Sequence, residues 1–88
     1  MLRISITEDS GESVRLRLEG WLMGPWVEEL RRQSEKALGE AKTLTLDLAK
    51  VWFVDPSGAA LLKQLAQHDV THVNCSAFIA RQLKETTL

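Results

Sequence analysis

Residues 44–65 read LTLDLAKVWFVDPSGAALLKQL, and this stretch decides the fold. Leucines alternate with polar residues over residues 43–48, which is typical of a half-buried strand, whereas residues 58–65 carry apolar residues at helical spacing. Asp55 is a favourable N-cap, and Pro56 then occupies the first helical position, where its missing N–H costs nothing. The stretch therefore predicts a strand, a tight turn and a helix in succession.

Ser57 and Gly58 follow in the first helical turn, and two interpretations of this turn are open. Unpaired backbone N–H groups and the positive end of the helix dipole collect there, so a hydroxyl at Ser57 has a place for a phosphate. In the other interpretation, Asp55 and Pro56 only begin a helix. Local chemistry alone favours this second interpretation, because helix caps are far commoner than regulatory serines.

The order of these motifs resembles that of the STAS domain family, which is named after sulfate transporters and anti-sigma factor antagonists. The resemblance covers residues 13–67 and includes an earlier Gly-Trp-Leu at residues 20–22. The family turn commonly reads Asp-Ser-Ser-Gly, and in the antagonists the serine beside the glycine is phosphorylated, which implies phosphorylation of Ser57. At two positions the chain departs from the family: Pro56 replaces a serine, and Met23 stands where many members carry an acidic residue.

The resemblance implies a non-enzymatic binding module similar to an anti-sigma factor antagonist. Such a module, unmodified, binds a kinase-type anti-sigma factor and so frees the sigma factor, and phosphorylation of Ser57 by that kinase ends the binding. Met23 and Pro56 favour an alternative, a constitutive STAS-like subunit that docks on the ATPase of a bacterial lipid-transport ABC system. In both cases the partner is a protein.

Composition places the chain among ordinary globular proteins. It has 88 residues, 44% of them hydrophobic and 26% charged, which predicts a single domain over residues 1–88. The net charge is -1 and no basic patch is present, so we expect no nucleic-acid partner. No signal peptide and no run of ~20 apolar residues occurs, which predicts a cytoplasmic protein without membrane insertion. The single Cys75 fits a reducing compartment.

The periodicity of the whole chain predicts an α/β fold. We expect a mixed four-stranded sheet with about three helices mainly on one face, because the strands alternate polar and apolar residues instead of forming continuous apolar runs. The predicted strands are residues 2–7, 13–19, 43–48 and 70–74, and the predicted helices are residues 25–38, 57–67 and 76–84. The other face of the sheet is expected to be solvated, with Arg15, Arg17, Thr43, Thr45 and Asp47. No strand pattern follows the last helix, so the closing strand of the family is expected to be absent.

The chain offers little for catalysis or metal binding. Asp55 and Ser57 together with a histidine form no nucleophilic triad by pattern, because no Gly-x-Ser-x-Gly turn is present. His68, His72 and Cys75 match no zinc spacing. Glycine-rich nucleotide loops are absent too. We therefore expect no catalytic residue, no metal and no cofactor.

Partner contacts are expected around the turn. Trp21 and Trp26 flank a Gly-Pro connection at the same end of the domain as Ser57, where tryptophan is a common interface anchor, although core packing is an equal alternative for both. The predicted partner-binding residues are Trp21, Met23, Trp26, Ala59 and Leu62. Without a closing strand, one sheet edge is open to a partner or a homodimer unless Phe78 and Leu83 cover that flank.

Overall fold

The computed structural model describes residues 1–85 and contains four strands and three helices over that range. The strands are β1 (Leu2–Asp9), β2 (Ser13–Leu22), β3 (Thr43–Val54) and β4 (Thr71–Val73). The helices are α1 (Pro25–Gly39), α2 (Pro56–Ala66) and α3 (Ala77–Glu85). The predicted order of elements is thereby confirmed, with most boundaries within one or two residues.

The strands form one mixed sheet in the order β1-β2-β3-β4. β1 pairs antiparallel with β2 through a short hairpin, while β2, β3 and β4 run parallel. Parallel neighbours need a crossover connection, and α1 and α2 provide the two crossovers. The mixed four-stranded sheet is therefore confirmed.

The helices pack on one face of this sheet around a single core. Leucines at alternate strand positions face the helices, because every second side chain points to the same side of a strand. The largest fully buried side chains are those of Leu18, Leu22, Leu30, Leu44, Leu46, Leu48, Leu61, Leu62 and Ile79. They come from two strands and all three helices, which confirms that the helices cover mainly one side.

β2 and β3 extend beyond their predicted ends, to Leu22 and Val54. The alternation of apolar residues is interrupted after Leu48, which is why the pattern predicted an earlier end. Pairing continues through two irregularities, and Trp52 is the extra residue between the paired positions 51 and 53. The two parallel strands consequently end side by side, with Leu22 opposite Val54.

The face opposite the helices is polar except at the ends of β2 and β3, and one of its predicted solvated residues is buried. Arg17 is exposed, but Asp47 is only 9% exposed. Its Oδ1 accepts hydrogen bonds from the Ala49 N–H at 3.0 Å and the Asn74 Nδ2 at 3.1 Å. These bonds, from Ala49 first and then Asn74, lower the pKa of Asp47 despite its burial. Asp47 thus joins β3 to the residue that follows β4.

Candidate functional site

The N-terminal ends of α1 and α2 lie side by side at the end of the sheet where β2 and β3 finish. Each helix follows one of these two neighbouring parallel strands, so both helices begin at the same end of the sheet. The Asp55 N–H donates to the Leu22 carbonyl oxygen at 3.0 Å, which holds the two strand ends together. The Asp-Pro-Ser-Gly turn therefore lies beside residues 22–24.

The Asp55 carboxylate binds both helix starts. Its Oδ1 accepts from the Gly58 N–H at 2.7 Å and from the Ser57 hydroxyl at 2.9 Å. Its Oδ2 accepts from the Gly24 N–H at 3.1 Å. Gly24 is the N-cap residue of α1 and has no side chain of its own to cap that helix. Asp55 is thus the N-cap of α2 and also bonds the cap residue of α1.

These hydrogen bonds outweigh the effect of burial on the Asp55 pKa. Burial by itself raises the pKa of this carboxyl, because it disfavours the charged form. The N–H groups of Gly58 and Gly24 and the hydroxyl of Ser57 stabilise the carboxylate and hold its pKa below the ordinary value. Asp55 is therefore an ionised acceptor at neutral pH.

Ser57 is exposed, and its hydroxyl faces Asp55. From the sequence, the unpaired backbone N–H groups of this turn were predicted to be available to bind a phosphate on Ser57. In the structure Asp55 already uses the Gly58 N–H, and the Ser57 N–H also acts on the same carboxylate. A phosphate on Ser57 would therefore have to compete with Asp55 for these donors. The anion position at the start of α2 is filled by the protein's own side chain.

Pro56 and Gly58 have distinct structural roles. Pro56 is the first residue of α2, as predicted. Gly58 is buried, and a Cβ atom built on it would lie 2.8 Å from the Leu22 carbonyl oxygen. The close approach is made within the chain, by the end of β2.

The predicted partner-binding residues divide into a surface set and a core set. Trp21 and Met23 are 53% and 38% exposed. Trp26 is half-buried and packs against the core beside the start of α1. Ala59 and Leu62 are 2% and 0% exposed, so they cannot contact a docked partner in this conformation. The apolar spacing that placed them on α2 marks the side of the helix that faces the sheet.

Two exposed aromatic residues, Trp52 and Phe53, were missed by the sequence interpretation. Trp52 is 63% exposed and Phe53 is 38% exposed. Phe53 pairs with Trp21 on the neighbouring strand, on the face away from the helices. The run of apolar residues at 51–54 did not indicate that two of them are exposed, because the irregular pairing at Trp52 changes which residues face the core. We call Trp21, Trp52 and Phe53 the aromatic end of the sheet.

The residues that the sequence analysis considered as metal ligands do not belong to this site. His72 lies in β4, and burial lowers its pKa, while burial raises the pKa of the Cys75 thiol. Among the described residues, no group of histidine, cysteine, aspartate or glutamate side chains is arranged to hold a metal ion. None of the three described helices has the length and apolar character needed to cross a membrane.

Comparison with known proteins found one matching sequence family and several solved structures with the same fold. The sequence profile of a family described as "Mlab, STAS domain" matches residues 6–84. The unphosphorylated anti-sigma factor antagonist SpoIIAA is 21% identical, with a TM-score of 0.75 over 93% of this chain and 82% of that one. A search of curated proteins found no matching sequence.

Two further solved structures share the fold at lower similarity. An antisigma-factor antagonist STAS domain from Rhodobacter sphaeroides is 15% identical, with a TM-score of 0.61 over 100% of this chain and 97% of that one. An uncharacterised protein from Shewanella loihica with a SpoIIAA-like fold is 14% identical, with a TM-score of 0.59 over 88% of this chain and 69% of that one. At these identities the likeness concerns the fold.

Proposed function

This chain belongs to the STAS domain family, and from that membership we propose that it is a non-enzymatic protein-binding module gated by phosphorylation of Ser57. One observation carries the proposal: the Ser57 hydroxyl is exposed at the start of α2 and is held by Asp55 at 2.9 Å. The 22–24 connection lies directly beside it, because Asp55 bonds both Leu22 and Gly24. A partner seated on the exposed Met23 would therefore also cover Ser57.

The unmodified site suits a docking surface. Ser57 is uncharged, and the neighbouring Met23 and Trp21 offer apolar area at an exposed edge. The Asp55 charge is satisfied by three donors, so a partner does not have to neutralise it. Aromatic and methionine side chains are enriched in the centres of protein interfaces. In the antagonist-like scheme, this surface binds a kinase-type anti-sigma factor.

Phosphorylation would end the binding by charge. A phosphoserine carries a charge of about −1.5 to −2 at neutral pH, and this charge would have to be desolvated when the partner docks. The hydroxyl proton that joins Ser57 to Asp55 is also lost, so the phosphate and the Asp55 carboxylate repel each other within the chain. Transfer forms a bond between Ser57 Oγ and the γ-phosphorus of the kinase's ATP. ADP leaves, and the hydroxyl proton departs toward Asp55.

A second candidate is a constitutive subunit that docks on the ATPase of a lipid-transport ABC system. The description of the matching family as "Mlab, STAS domain" favours it. Pro56 in place of the usual serine and Met23 in place of an acidic residue favour it as well. In this case the same face binds a protein partner and Ser57 is a helix-start residue without modification.

Intact-protein mass spectrometry after incubation with ATP and the anti-sigma kinase of a neighbouring gene separates the two candidates. We expect wild type to gain one phosphoryl group, Ser57→Ala to gain none, and Ser10→Ala to behave as wild type. Ser10 is a matched control because it is an exposed serine in the β1–β2 hairpin, at the other end of the sheet. An unmodified wild-type chain contradicts the gate.

Binding measurements with charge-mimicking variants test the consequence of modification. Ser57→Asp should weaken partner binding by at least about tenfold, since a charge at an interface must be desolvated. Ser10→Asp should bind as wild type. Equal binding of wild type and Ser57→Asp, with no phosphoryl transfer, would favour the constitutive subunit.

A further inference from the structure

β1 is an open edge of the sheet. It pairs with β2 on one side, and no described strand lies on its other side. The opposite edge differs, because β4 has only three residues and is followed by α3. Proteins protect edges by shortening them or by placing proline, lysine or bulges in them. β4 is protected by its shortness, whereas β1 has eight residues and neither proline nor lysine, and its one bulge lies beyond Ile6, which leaves residues 2–6 as a regular edge.

The outward-facing backbone groups of β1 belong to Leu2, Ile4 and Ile6. The Trp21 N–H donates to the Met1 carbonyl oxygen at 2.9 Å, and Leu2 lies opposite Gly20. Hydrogen-bonded and non-bonded pairs alternate along an antiparallel ladder. Since position 1 is bonded to β2, positions 3 and 5 are as well. The N–H and C=O groups of positions 2, 4 and 6 therefore point away from the sheet.

The side chains of the same three residues lie on the helix side, where α1 covers them incompletely. Leu2 is buried, Ile4 is half-buried, and Ile6 is 63% exposed. A shallow groove beside Leu2 and Ile4 is lined by Pro25, Trp26, Glu29 and Gln33 of α1, whereas Ile6 lines a second groove that also contains the charged side chains of Arg32 and Lys36. A strand added to β1 would thus find unpaired backbone groups and apolar side-chain area at the same positions.

The charges of β1 are arranged with opposite signs at its two ends. Arg3 lies near the start, and Glu8 lies near the end. The pairing register shifts between Ile6 and Glu8, which places Glu8 opposite Arg15 on the polar face of the sheet. Arg3 lies opposite Glu19 on that same face. An antiparallel copy of β1 would bring the positive end of each strand toward the negative end of the other.

We propose that β1 pairs with β1 of a second copy of this chain, antiparallel, around a two-fold axis beside Ile4. In this register Ile4 lies opposite its own copy and Leu2 lies opposite Ile6 of the second copy. Arg3 then lies opposite Ser5 of the second copy, so no like charges face each other. The bulge after Ile6 ends the regular pairing. The two sheets become one continuous sheet.

This dimer leaves the Ser57 site free. Ser57 lies at the end of the molecule where β2 and β3 finish, and the two-fold axis places the two copies of the site at opposite ends of the joined sheet. Dimer formation and partner binding are therefore separate properties. Failure of one would not imply failure of the other.

The test is the molar mass of the full chain in solution, measured by light scattering over a wide range of concentrations, for wild type and two lysine variants. Wild type should form a concentration-dependent dimer. Ile6→Lys should raise the dissociation constant by at least about tenfold, because a lysine on an edge strand opposes pairing. Phe78→Lys is the matched control, since Phe78 is 58% exposed but lies on α3. It should dimerise as wild type.

Amide hydrogen exchange measured by NMR identifies the interface directly. The amides of Ile4 and Ile6 should exchange fast in dilute wild type and slowly in concentrated wild type. The amides of Arg3 and Ser5 should be slow in both, because they are bonded to β2. A chain that stays monomeric at all concentrations overturns the proposal. So does a dimer in which the Ile4 and Ile6 amides remain fast, or one that Phe78→Lys dissociates.

Discussion

Asp55 is an N-cap whose second oxygen reaches a residue 31 positions earlier in the chain. The cap itself could be predicted, because an aspartate before a proline and a small-residue helix is a local pattern. The bond to Gly24 could not, since it depends on β2 and β3 ending at the same level. The phosphate position is a different case: the bond from Gly58 to Asp55 is local, so the predicted cap already implied that this first-turn N–H group is occupied.

Substitutions of Asp55 should be graded by the number of hydrogen bonds they remove. We expect Asp55→Ala to lower the free energy of unfolding by about 2 kcal/mol, at the upper end for a lost cap, because donors of both helices lose their acceptor. Asp55→Asn should cost about 1 kcal/mol, since an amide retains one oxygen and presents an N–H group to one donor. Urea unfolding monitored by circular dichroism measures both.

Ser57→Ala is the control for that series. It removes one donor to Asp55 and leaves the bonds to Gly58 and Gly24 in place, so its effect should stay below about 0.5 kcal/mol. Equal losses for Asp55→Ala and Asp55→Asn would mean that the charge, not the pair of acceptor oxygens, stabilises the turn.

The contribution of Asp55 should depend on pH in the acid range. Its pKa is lowered in the folded protein from the ordinary value of 3.8, so the stabilisation is complete above that unfolded-state value and is lost as the pH falls through the folded-state value. The difference in unfolding free energy between wild type and Asp55→Asn should therefore be constant near neutral pH and shrink below about pH 4. A difference that does not change with pH contradicts this assignment.

At the scale of elements, periodicity predicted every strand and helix but not all of their ends. Alternation placed the strands well where one face is wet, as in residues 43–48. It failed after Leu48, where two register shifts in the parallel pairing change which residues face the core. For the same reason the pattern did not reveal that Trp52 and Phe53 lie on the surface. Ala59 and Leu62 were correctly placed on one face of α2, but this face packs against the sheet and is not available to a partner.

Gly58 is where α2 packs most closely on the end of β2. We expect Gly58→Ala to lower the free energy of unfolding by about 2 kcal/mol, since the added methyl group would lie 2.8 Å from the Leu22 carbonyl oxygen and 3.0 Å from side-chain carbons of Leu22 and Val54. Gly39→Ala is the matched control, because nothing lies within 4 Å of its Cβ position at the end of α1. It should stabilise by about 0.5 kcal/mol. Thermal and urea unfolding of both variants give the comparison.

At the scale of the whole molecule, the sheet carries three distinct surfaces. One face is covered by the helices, one end carries the aromatic residues and the Ser57 turn, and β1 forms an open edge. The covered face could be predicted from the apolar pattern alone. An open edge was predicted as well, but the sequence pattern did not specify which strand forms it. The spatial order of the strands decides which edge is long enough to bind another strand.

The bond from Asp55 to Gly24 also has a kinetic consequence. Its two residues come together only after β2 and β3 have paired up to their last positions, Leu22 and Val54, so we expect the bond to form late in folding. Asp55→Ala should then leave the folding rate nearly unchanged and speed unfolding by about thirtyfold, the equivalent of its loss in stability. Stopped-flow measurements across a urea series separate the two rates, and a slowed folding limb would place this contact in the nucleus. If the hydrogen bond between Gly24 and Asp55 forms last in folding and breaks first in unfolding, it determines the rate at which the folded chain opens. It thereby also determines how often the turn is accessible to a protease.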